Sequence, residues 1–299
     1  MSRHWTKKEL FFFRAMVSCL AGAGCTPNFA SASEVTDLRV LAVQAEPAEA
    51  LFDAQGNVQD VHLRILAVDP ARSGFATMTA SLCAPTDSRR CESGPRFDLP
   101  RSTRDQGTEF AASVPGALIA PVIAFAQSSD KLKGLNGIRI MFALAVADGD
   151  PSSPVAADKT LVYRKAGTAP NHNPQMTGLA LTIDGAPEGG AAPGQPLQLR
   201  LGISYGVRPL LAADARENYD TTDLRGNLVH LREPAAYAFF TTAGAEFDHD
   251  TADEPVDGIA PPDGLVRLRA VRVASGTLWV VVRDGRGGES WLAIPWTAN

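Results

Sequence analysis

The fold is decided by residues 277–295, which read Thr277-Leu-Trp-Val-Val-Val-Arg283, Asp284-Gly-Arg-Gly-Gly288 and Glu289-Ser-Trp-Leu-Ala-Ile-Pro295. Two apolar runs rich in valine, isoleucine and tryptophan flank a short segment in which glycine dominates. Glycine reaches the positive φ angles that a tight hairpin turn requires, and branched and aromatic residues favour strands. The stretch therefore predicts an antiparallel β-hairpin at the end of the chain.

We expect Arg283 to pair with Glu289 across this hairpin, because opposite charges on facing strands attract. That register sets Val281 opposite Trp291 and leaves Trp279 on the same face. The other face is aliphatic and is expected in the core of the protein. The tryptophan face ends in the ion pair, so we expect it to lie nearer to water.

A period of two residues recurs through the rest of the chain, in Val61–Ala67, Ile138–Val146 and Leu197–Leu201. After residue 24 no stretch shows a sustained apolar period of 3.6 residues, which a helix would require. Each half of the chain contains about seven short alternating runs, the number of strands in an immunoglobulin-type sandwich. The sequence predicts an all-β fold with two tandem immunoglobulin-like β-sandwich domains.

The two halves also resemble each other at three landmarks with similar offsets, which favours a tandem duplication. The offsets between the paired landmarks are 140, 136 and 136 residues. In chain order, the pairs are Leu41–Pro47 with Leu181–Pro187, Leu63–Ile65 with Leu199–Leu201, and Leu144–Gly149 with Val280–Gly285.

These patterns divide the chain into five segments, with the break between the sandwiches in a polar, proline-containing stretch. The predicted segments are a signal peptide at 1–24, a tether at 25–33, a first sandwich at 34–166, a linker at 167–174 and a second sandwich at 175–299.

The first 25 residues have the pattern of an export signal. Four basic residues precede an apolar run, Ala15–Gly24, and small residues stand before Cys25. This order is typical of a secretory signal peptide, and a transmembrane helix would need about 20 apolar residues. Cys25 directly after the cut is typical of a bacterial lipid anchor. Gly22 stands where such signals usually carry a large aliphatic residue, so ordinary secretion is the alternative.

Composition limits the classes of partner. The chain is 45% hydrophobic, enough to form packed cores. Without residues 1–24 it carries 24 basic and 32 acidic residues, a net charge of −8. An acidic chain of this kind has no electrostatic footprint for a nucleic acid. We therefore expect no nucleic-acid partner.

Two cysteines remain beyond the leader and its anchor, Cys83 and Cys91, with seven residues between them. In an exported protein such a pair is expected to form a disulfide. Closing so short a loop stabilises the fold by about 2.5 kcal/mol in the chain-entropy treatment. Two cysteines without a nearby histidine are too few ligands for zinc.

A serine hydrolase is the first alternative function. Gly202-Ile-Ser204-Tyr-Gly206 matches the G-x-S-x-G motif, in which a strand turns sharply into a helix and lifts the serine. His230 and His249 follow in the order that a catalytic triad needs. Pro209 argues against a helix after the serine, and strands do not alternate with helices elsewhere. We expect a strand end here and no catalytic residue or cofactor.

A calcium-stiffened spacer is the second alternative, because calcium binds clustered carboxylates. The cluster is Asp248, Asp250, Asp253, Glu254 and Asp257. Its spacing fits no known calcium loop with a glycine at the turn and a glutamate at the end. We expect a solvated acidic loop and no metal site.

Trp279 and Trp291 form the candidate binding surface. Aromatic side chains anchor many interfaces, so the pair could contact a glycan or a protein. Tryptophan in a sandwich is more often buried, here against the first domain or under a covering loop. We expect the structural role, with binding as the alternative.

The chain resembles surface lipoproteins of myxobacteria whose function is uncharacterised. The matching stretches are the leader with Cys25, Leu38–Pro47, Asn171–Pro174 and Leu278–Gly288. The resemblance implies an exported lipoprotein and carries no catalytic residues. Thr26 after the anchor cysteine implies retention in the outer membrane.

Together these observations predict an exported, lipid-anchored, non-catalytic protein of the cell envelope that acts as a binding or scaffold module. Its expected partners are the membrane, through the anchor at Cys25, and an envelope protein or glycan.

Overall fold

The computed structural model describes residues 31–71, 75–85, 91–92, 94–131, 134–148, 153–167, 169–255, 257, 259 and 261–299. Residues 31–299 form one compact unit. The described chain is built almost entirely of β-strands with one α-helix, which confirms the all-β prediction.

In the described part of the first half, nine strands and the helix lie between Arg39 and Lys165, preceded by a separate two-residue strand. They are β1 (Glu34–Val35), β2 (Arg39–Glu46), β3 (Glu49–Phe52), β4 (Val61–Val68), β5 (Ala76–Cys83), β6 (Arg96–Asp98), β7 (Ser102–Arg104), β8 (Glu109–Val114), α1 (Gly116–Ser129), β9 (Ile138–Ala147) and β10 (Val155–Lys165).

The second half contains twelve further strands. They are β11 (Met176–Ile183), β12 (Ala186–Ala191), β13 (Leu197–Leu199), β14 (Ser204–Leu211), β15 (Asn218–Thr222), β16 (Leu228–Arg232), β17 (Ala236–Thr242), β18 (Ala245–Phe247), β19 (Thr251–Asp253), β20 (Val266–Ala270), β21 (Ala274–Arg283) and β22 (Glu289–Ala298).

The two halves share one topology. In the first, β2–β4–β8 form one sheet and β3–β10–β9–β5–β6 the other, with β7 also on β5. In the second, β12–β11–β14–β20–β18 face β17–β21–β22–β13. The orders β2–β4–β8 and β11–β14–β20 match strands A, B and E of an immunoglobulin domain, and β5–β9–β10 and β17–β21–β22 match C, F and G. The prediction of tandem immunoglobulin-like sandwiches is confirmed.

The predicted correspondence between the halves is correct for the first and third pairs of landmarks and wrong for the second. Leu41–Pro47 and Leu181–Pro187 both lie at the A strand, and the third pair ends the F strand in each half. Leu63–Ile65 lies in β4, but Leu199–Leu201 begins at the end of β13. β13 runs parallel to β22 as β3 runs parallel to β10, so these two short strands correspond. The true counterpart of β4 is β14.

Alternation places one face of each strand in a core. In β9, every second residue from Ile138 to Val146 is apolar, and these five side chains are buried in the first core. The second core contains the aliphatic face of β21 and β22, including Val280, Leu292 and Ile294. The hairpin has the predicted register, with Arg283 opposite Glu289.

The helix α1 was not predicted. It buries Ile119, Val122, Ile123 and Ala126, which have helical spacing, in the first core. Its outward positions include Leu118, which is 55% exposed, and α1 contains no charged residue. Because the exposed positions of α1 as far as Phe125 are also apolar, the sequence shows little periodic contrast.

β1 joins the two halves in a way that the sequence did not suggest. Glu34 and Val35 pair in parallel with Thr241 and Thr242 of β17, in the second sandwich. The chain then enters the first sandwich at β2. The segment after the predicted tether therefore contacts the second sandwich first.

Candidate functional site

The two sandwiches meet through an apolar cluster, here called the interface cluster. Trp279 of β21 is 3% exposed and lies in this cluster. The first sandwich covers it, so the expected position nearer to water is wrong for Trp279. The cluster combines residues of both sandwiches and of β1: Val35, Leu41, Ala42, Leu66, Val68, Ala238, Trp279 and Val281.

Trp291 packs at the margin of the interface cluster. The Arg64 guanidinium lies 4.8 Å from the centre of its ring. Its indole nitrogen donates to Glu109 Oε1 at 3.1 Å, and Glu109 also pairs with Arg64 at 2.8 Å. Both tryptophans of the candidate binding surface thus contact the first sandwich, and Trp279 offers no exposed face to a ligand.

The linker is held by buried hydrogen bonds at Asn171, which is fully buried. Its backbone N–H donates to Glu49 Oε2 at 2.9 Å, and its side-chain nitrogen donates to Asp284 Oδ2 at 2.7 Å. Asp284 belongs to the turn between β21 and β22, and its other oxygen accepts the backbone N–H groups of residues 286–288. One residue of the linker thus ties a strand of the first sandwich, through its backbone, to a turn of the second, through its side chain.

Arg286 projects from the same turn into a group of carboxylates. It donates to Glu49 Oε2 at 2.9 Å and to Glu233 Oε1 at 2.8 Å, and it lies 3.5 Å from Glu217 Oε2. Its guanidinium also stacks at 4.3 Å from the ring centre of Tyr219. The Arg286 side chain is 8% exposed, so these interactions are little screened by water. Glu49, Asn171, Glu217, Glu233, Asp284 and Arg286 are called the junction network below.

A second ion cluster joins the sandwiches beside the junction network. Glu289, at the start of β22, accepts the backbone N–H of Val43 at 3.2 Å and the Lys159 ammonium at 3.0 Å. Its other oxygen pairs with Arg283 at 2.7 Å, as the sequence predicted. Asn173 of the linker accepts the backbone N–H of Glu289 at 2.9 Å.

Burial changes the acidity of two members of the junction network. Desolvation raises the pKa of the Asp284 carboxyl, against the lowering effect of the hydrogen bond from Asn171. Desolvation also raises the pKa of the Glu233 carboxyl, and the neighbouring charge on Asp284 adds to that shift. The network therefore concentrates negative charge that Arg286 offsets only in part.

A polar cleft of about 730 Å³ opens beside the junction network between the linker and the ribbon β15–β16. We call it the hairpin cleft; its lining includes Arg164, Tyr219, His230 and Arg286. The ribbon is fastened to the first sandwich where Thr221 donates to Asn136 Oδ1 at 2.7 Å. The arrangement can hold a polar ligand between fixed walls.

Three of the four stretches on which the predicted resemblance rests meet at this junction. Leu38–Pro47 supplies interface residues and the Ala45 carbonyl, which accepts Asn173 Nδ2 at 2.7 Å. Asn171–Pro174 is the linker that forms the buried hydrogen bonds. Leu278–Gly288 supplies Trp279 and the turn with Arg286. Stretches separated by more than 100 residues thus build one structural feature.

The predicted anchor, Cys25, lies outside the described residues. Cys83 and Cys91 form the predicted disulfide, with their Cα atoms 5.5 Å apart. Along the described ranges, no helix is both long and apolar enough to span a bilayer.

The residues of the hydrolase alternative are not assembled as a nucleophile elbow. Ser204 begins β14 and faces Arg269 of β20, and the chain continues as a strand to Leu211. His230 pairs with Asp220 within the ribbon β15–β16. Gly206 of the motif has a structural role, because a Cβ there would lie 1.9 Å from the Asp263 carbonyl oxygen.

The acidic residues of the calcium alternative have separate partners. Asp248 accepts the backbone N–H of Arg267 at 2.8 Å. Glu254 accepts the Tyr237 hydroxyl at 3.0 Å. Within the described ranges, no group of three or more histidine, cysteine, aspartate or glutamate side chains is placed to hold a metal ion.

Comparison with known proteins finds likeness in solved structures alone. No protein-family model matches the chain, and no curated protein matches it. Red sea bream transglutaminase matches 89% of this chain over 32% of its own length, at 12% identity and a TM-score of 0.26. The Ig1-2 module of the Drosophila receptor protein tyrosine phosphatase DLAR matches 88% of this chain over 99% of its own length, at 10% identity and a TM-score of 0.24. Native E. coli alpha-2-macroglobulin matches 88% of this chain over 17% of its own length, at 9% identity and a TM-score of 0.26.

The chain therefore spans about a third of the transglutaminase and about a sixth of the macroglobulin. TM-scores this low transfer no activity to the chain.

Sequence reasoning did not single out Glu49, Glu217, Glu233 or Arg286. Each is a charged residue that looks like ordinary surface until a second segment covers it. One signal was available: Asn171 and Asp284 both lie in stretches that the resemblance had marked. The sequence alone did not show that these stretches touch.

Proposed function

We propose that this chain is an exported, lipid-anchored, non-catalytic module whose two sandwiches present binding surfaces in a fixed relative orientation. The observation that carries this proposal is the junction network. Immunoglobulin-like domains joined by flexible linkers move independently, and a large buried interface opposes such motion. Here Asn171 of the linker is fully buried, and Arg286 joins Glu49 of the first sandwich to Glu233 of the second.

A fixed orientation suits binding or spacing more than chemistry. Preorganised surfaces lose less conformational entropy when a partner binds, so affinity rises without new contacts. The hairpin cleft lies at the junction and would keep its shape only while the sandwiches stay together. We therefore assign binding of an envelope protein or glycan to the two-sandwich unit as a whole.

Export and anchoring rest on the leader and Cys25. Each buried methylene of an acyl chain contributes about 0.8 kcal/mol, so several chains would hold the protein at a membrane. Five residues lie between Cys25 and Ser31, so a fully extended chain from one to the other would reach at most about 20 Å. Anchoring would therefore keep β1 and the second sandwich close to the membrane surface.

Metabolic labelling with a palmitate analogue tests the anchor. We expect the wild-type chain and Cys19→Ser to be labelled and to sediment with membranes, and Cys25→Ser to lose both properties. Cys19→Ser is the matched control, because it removes a leader cysteine outside the predicted cut. Labelling of Cys25→Ser that equals the wild type would refute the anchor.

A fluorophosphonate probe tests the non-catalytic assignment. We expect no labelling of the wild-type chain, because Ser204 lies in a strand rather than at a strand-to-helix turn. Labelling that disappears in Ser204→Ala would establish a serine hydrolase and overturn the proposal.

A further inference from the structure

A smaller cleft on the second sandwich, here called the arginine cleft, lies where β14 ends and β16 passes beside it. Its volume is about 290 Å³. Arg208 of β14, Arg216 from the segment before β15, and Arg232 at the end of β16 line it together with Glu254. The fold thus brings three guanidinium groups from three successive segments to one small cavity.

Glu254 positions Arg208 at this cleft. Its side chain is 9% exposed and lies 3.5 Å from the Arg208 guanidinium. Its other oxygen accepts the Tyr237 hydroxyl at 3.0 Å. The one carboxylate of the lining is therefore already engaged by two donors from the protein. Arg208 keeps a 40% exposed side chain and can offer further N–H groups to a ligand.

The other two arginines leave most of their donors for a ligand. Arg216 uses Nε to donate to the Glu233 carbonyl oxygen at 2.9 Å. Arg232 is exposed and also borders the hairpin cleft, and no side-chain hydrogen bond or ion pair joins it to any residue in the described part of the chain. A guanidinium group has five N–H donors and stays charged at any physiological pH.

The charge of the arginine cleft is opposite to that of the whole chain. Three guanidinium groups and one carboxylate line the cavity, whereas the chain has a net charge of −5. A local excess of positive charge in a concave, partly buried site raises the local concentration of anions. The site therefore selects an anion even though the protein repels anions at long range.

We infer that the arginine cleft binds a tetrahedral oxyanion of the phosphate monoester class. Arginine pairs with phosphate through two parallel N–H···O bonds, and three arginines can engage more oxygens than the two of a carboxylate. The cavity is large enough for a phosphate group with part of its alcohol. The inference goes beyond the proposed function and is independent of the anchor at Cys25.

Calorimetric titration of the full-length chain with inorganic phosphate, at constant ionic strength set with chloride, tests the inference. We expect saturable binding with one phosphate per chain. Arg232→Gln should weaken binding about tenfold, because a charge-assisted hydrogen-bond pair is lost. Arg232→Lys keeps the charge and loses the planar guanidinium group, so its affinity for phosphate should lie between those of the wild type and Arg232→Gln. Arg232 makes no side-chain hydrogen bond or ion pair in the described structure, so these variants should fold. Arg208→Gln should weaken binding as well, because Arg208 lines the arginine cleft and not the hairpin cleft; wild-type affinity in Arg208→Gln would place the phosphate elsewhere and overturn the inference.

Arg225→Gln is the matched control, because Arg225 is exposed on the same ribbon and lines no described cleft. It removes the same charge from the chain. Binding that is absent, or that falls equally in Arg225→Gln and Arg232→Gln, would overturn the inference, since it would reflect net charge alone.

Two further ligands separate the sources of the phosphate. Glycerol phosphate represents a soluble monoester, and phosphatidic acid vesicles represent a lipid headgroup. Loss of vesicle binding in Arg232→Gln supports a headgroup ligand, and loss of glycerol phosphate binding alone supports a soluble one. If Arg232→Gln bound both glycerol phosphate and the vesicles as tightly as the wild type, the proposed site would be contradicted.

Discussion

Asp284 shows how a single carboxylate can organise a turn and weaken it at the same time. Its oxygen Oδ1 accepts three backbone N–H groups of the turn, which fixes the loop that carries Arg286. Burial raises the pKa of Asp284, so the charged form is less favourable in the fold than in water. Asn171 Oδ1 is buried beside it and has no hydrogen-bond partner among the described residues. An asparagine at position 284 could accept the turn N–H groups with its Oδ1 and, if the Asn171 amide flips, donate to this oxygen from its Nδ2.

We therefore expect Asp284→Asn to gain stability relative to the wild type as pH rises. The raised pKa means that the wild type holds its proton more tightly when folded. The stability that the Asp284 carboxyl contributes to the wild type is fully present below the pKa of an unfolded aspartate, about 3.9. It is lost as the pH rises through the higher pKa of the folded state. The asparagine variant lacks that loss. Urea denaturation at several pH values between 4 and 8 measures the difference.

Asp284→Ala is the control for the turn itself. It removes the acceptor of three backbone groups, so we expect a loss of about 2–4 kcal/mol in the free energy of unfolding at every pH. An asparagine variant as unstable as the alanine variant, with the same pH profile, would show that the charge is needed.

Arg286→Met should be among the most destabilising single substitutions of the chain. It leaves the buried Glu233 carboxylate without its arginine and Glu49 with Arg164 alone, and removal of one partner from a buried ion pair costs about 3–5 kcal/mol. Chemical denaturation measures the loss, with exposed Arg225→Met as the control expected within about 0.5 kcal/mol of the wild type. Equal stability of the two variants would mean that the junction network contributes little.

At the scale of elements, β14 explains the G-x-S-x-G motif without catalysis. The motif specifies residue types only. A glycine required by close backbone packing and a glycine required by a nucleophile elbow therefore give the same sequence pattern. Gly206 faces the Asp263 carbonyl so closely that any side chain would collide with backbone. Ser204 only begins the strand.

We expect Gly206→Ala to destabilise the chain by about 1–3 kcal/mol, because the added methyl must displace backbone in a packed sheet. Ser204→Ala should change the free energy of unfolding by less than about 0.5 kcal/mol. Thermal denaturation of both variants measures this contrast. The reverse order would indicate that the serine, not the glycine, is the constrained residue.

The hairpin β21–β22 and the helix α1 mark what local pattern can and cannot show. The hairpin register was predicted correctly because alternation, opposite charges and turn glycines agree within one short segment. α1 was missed because its exposed side carries Leu118 and Phe125, and its polar residues come only in its last turn. The sequence then lacks the contrast from which a helical period is read.

At the scale of the whole molecule, the interface cluster and the junction network join the sandwiches into one unit. Trp279 is buried between them, and β1 adds a strand from the N-terminal segment to the second sandwich. Neither sandwich buries these groups alone. Their stabilities should therefore be coupled.

We expect the wild-type chain to unfold in one cooperative thermal transition, with equal calorimetric and van't Hoff enthalpies. Trp279→Ala should cost about 3–5 kcal/mol and separate the transition into two, because it removes the largest side chain that bridges the cores. Differential scanning calorimetry measures both. Two independent transitions in the wild type would contradict the coupling, and with it the fixed orientation that the proposed function requires.

The sequence by itself determined what depends on neighbours along the chain: the strands, the hairpin register, the short disulfide loop and the all-β class. Those features follow from alternation, turn residues and small separations. The tertiary structure alone decided that Glu49 meets Arg286 and that Asn171 meets Asp284, across 237 and 113 residues. A charged residue on a strand reads as solvated surface, because no local pattern records which distant segment will cover it. Burial converts that surface charge into a junction between the sandwiches.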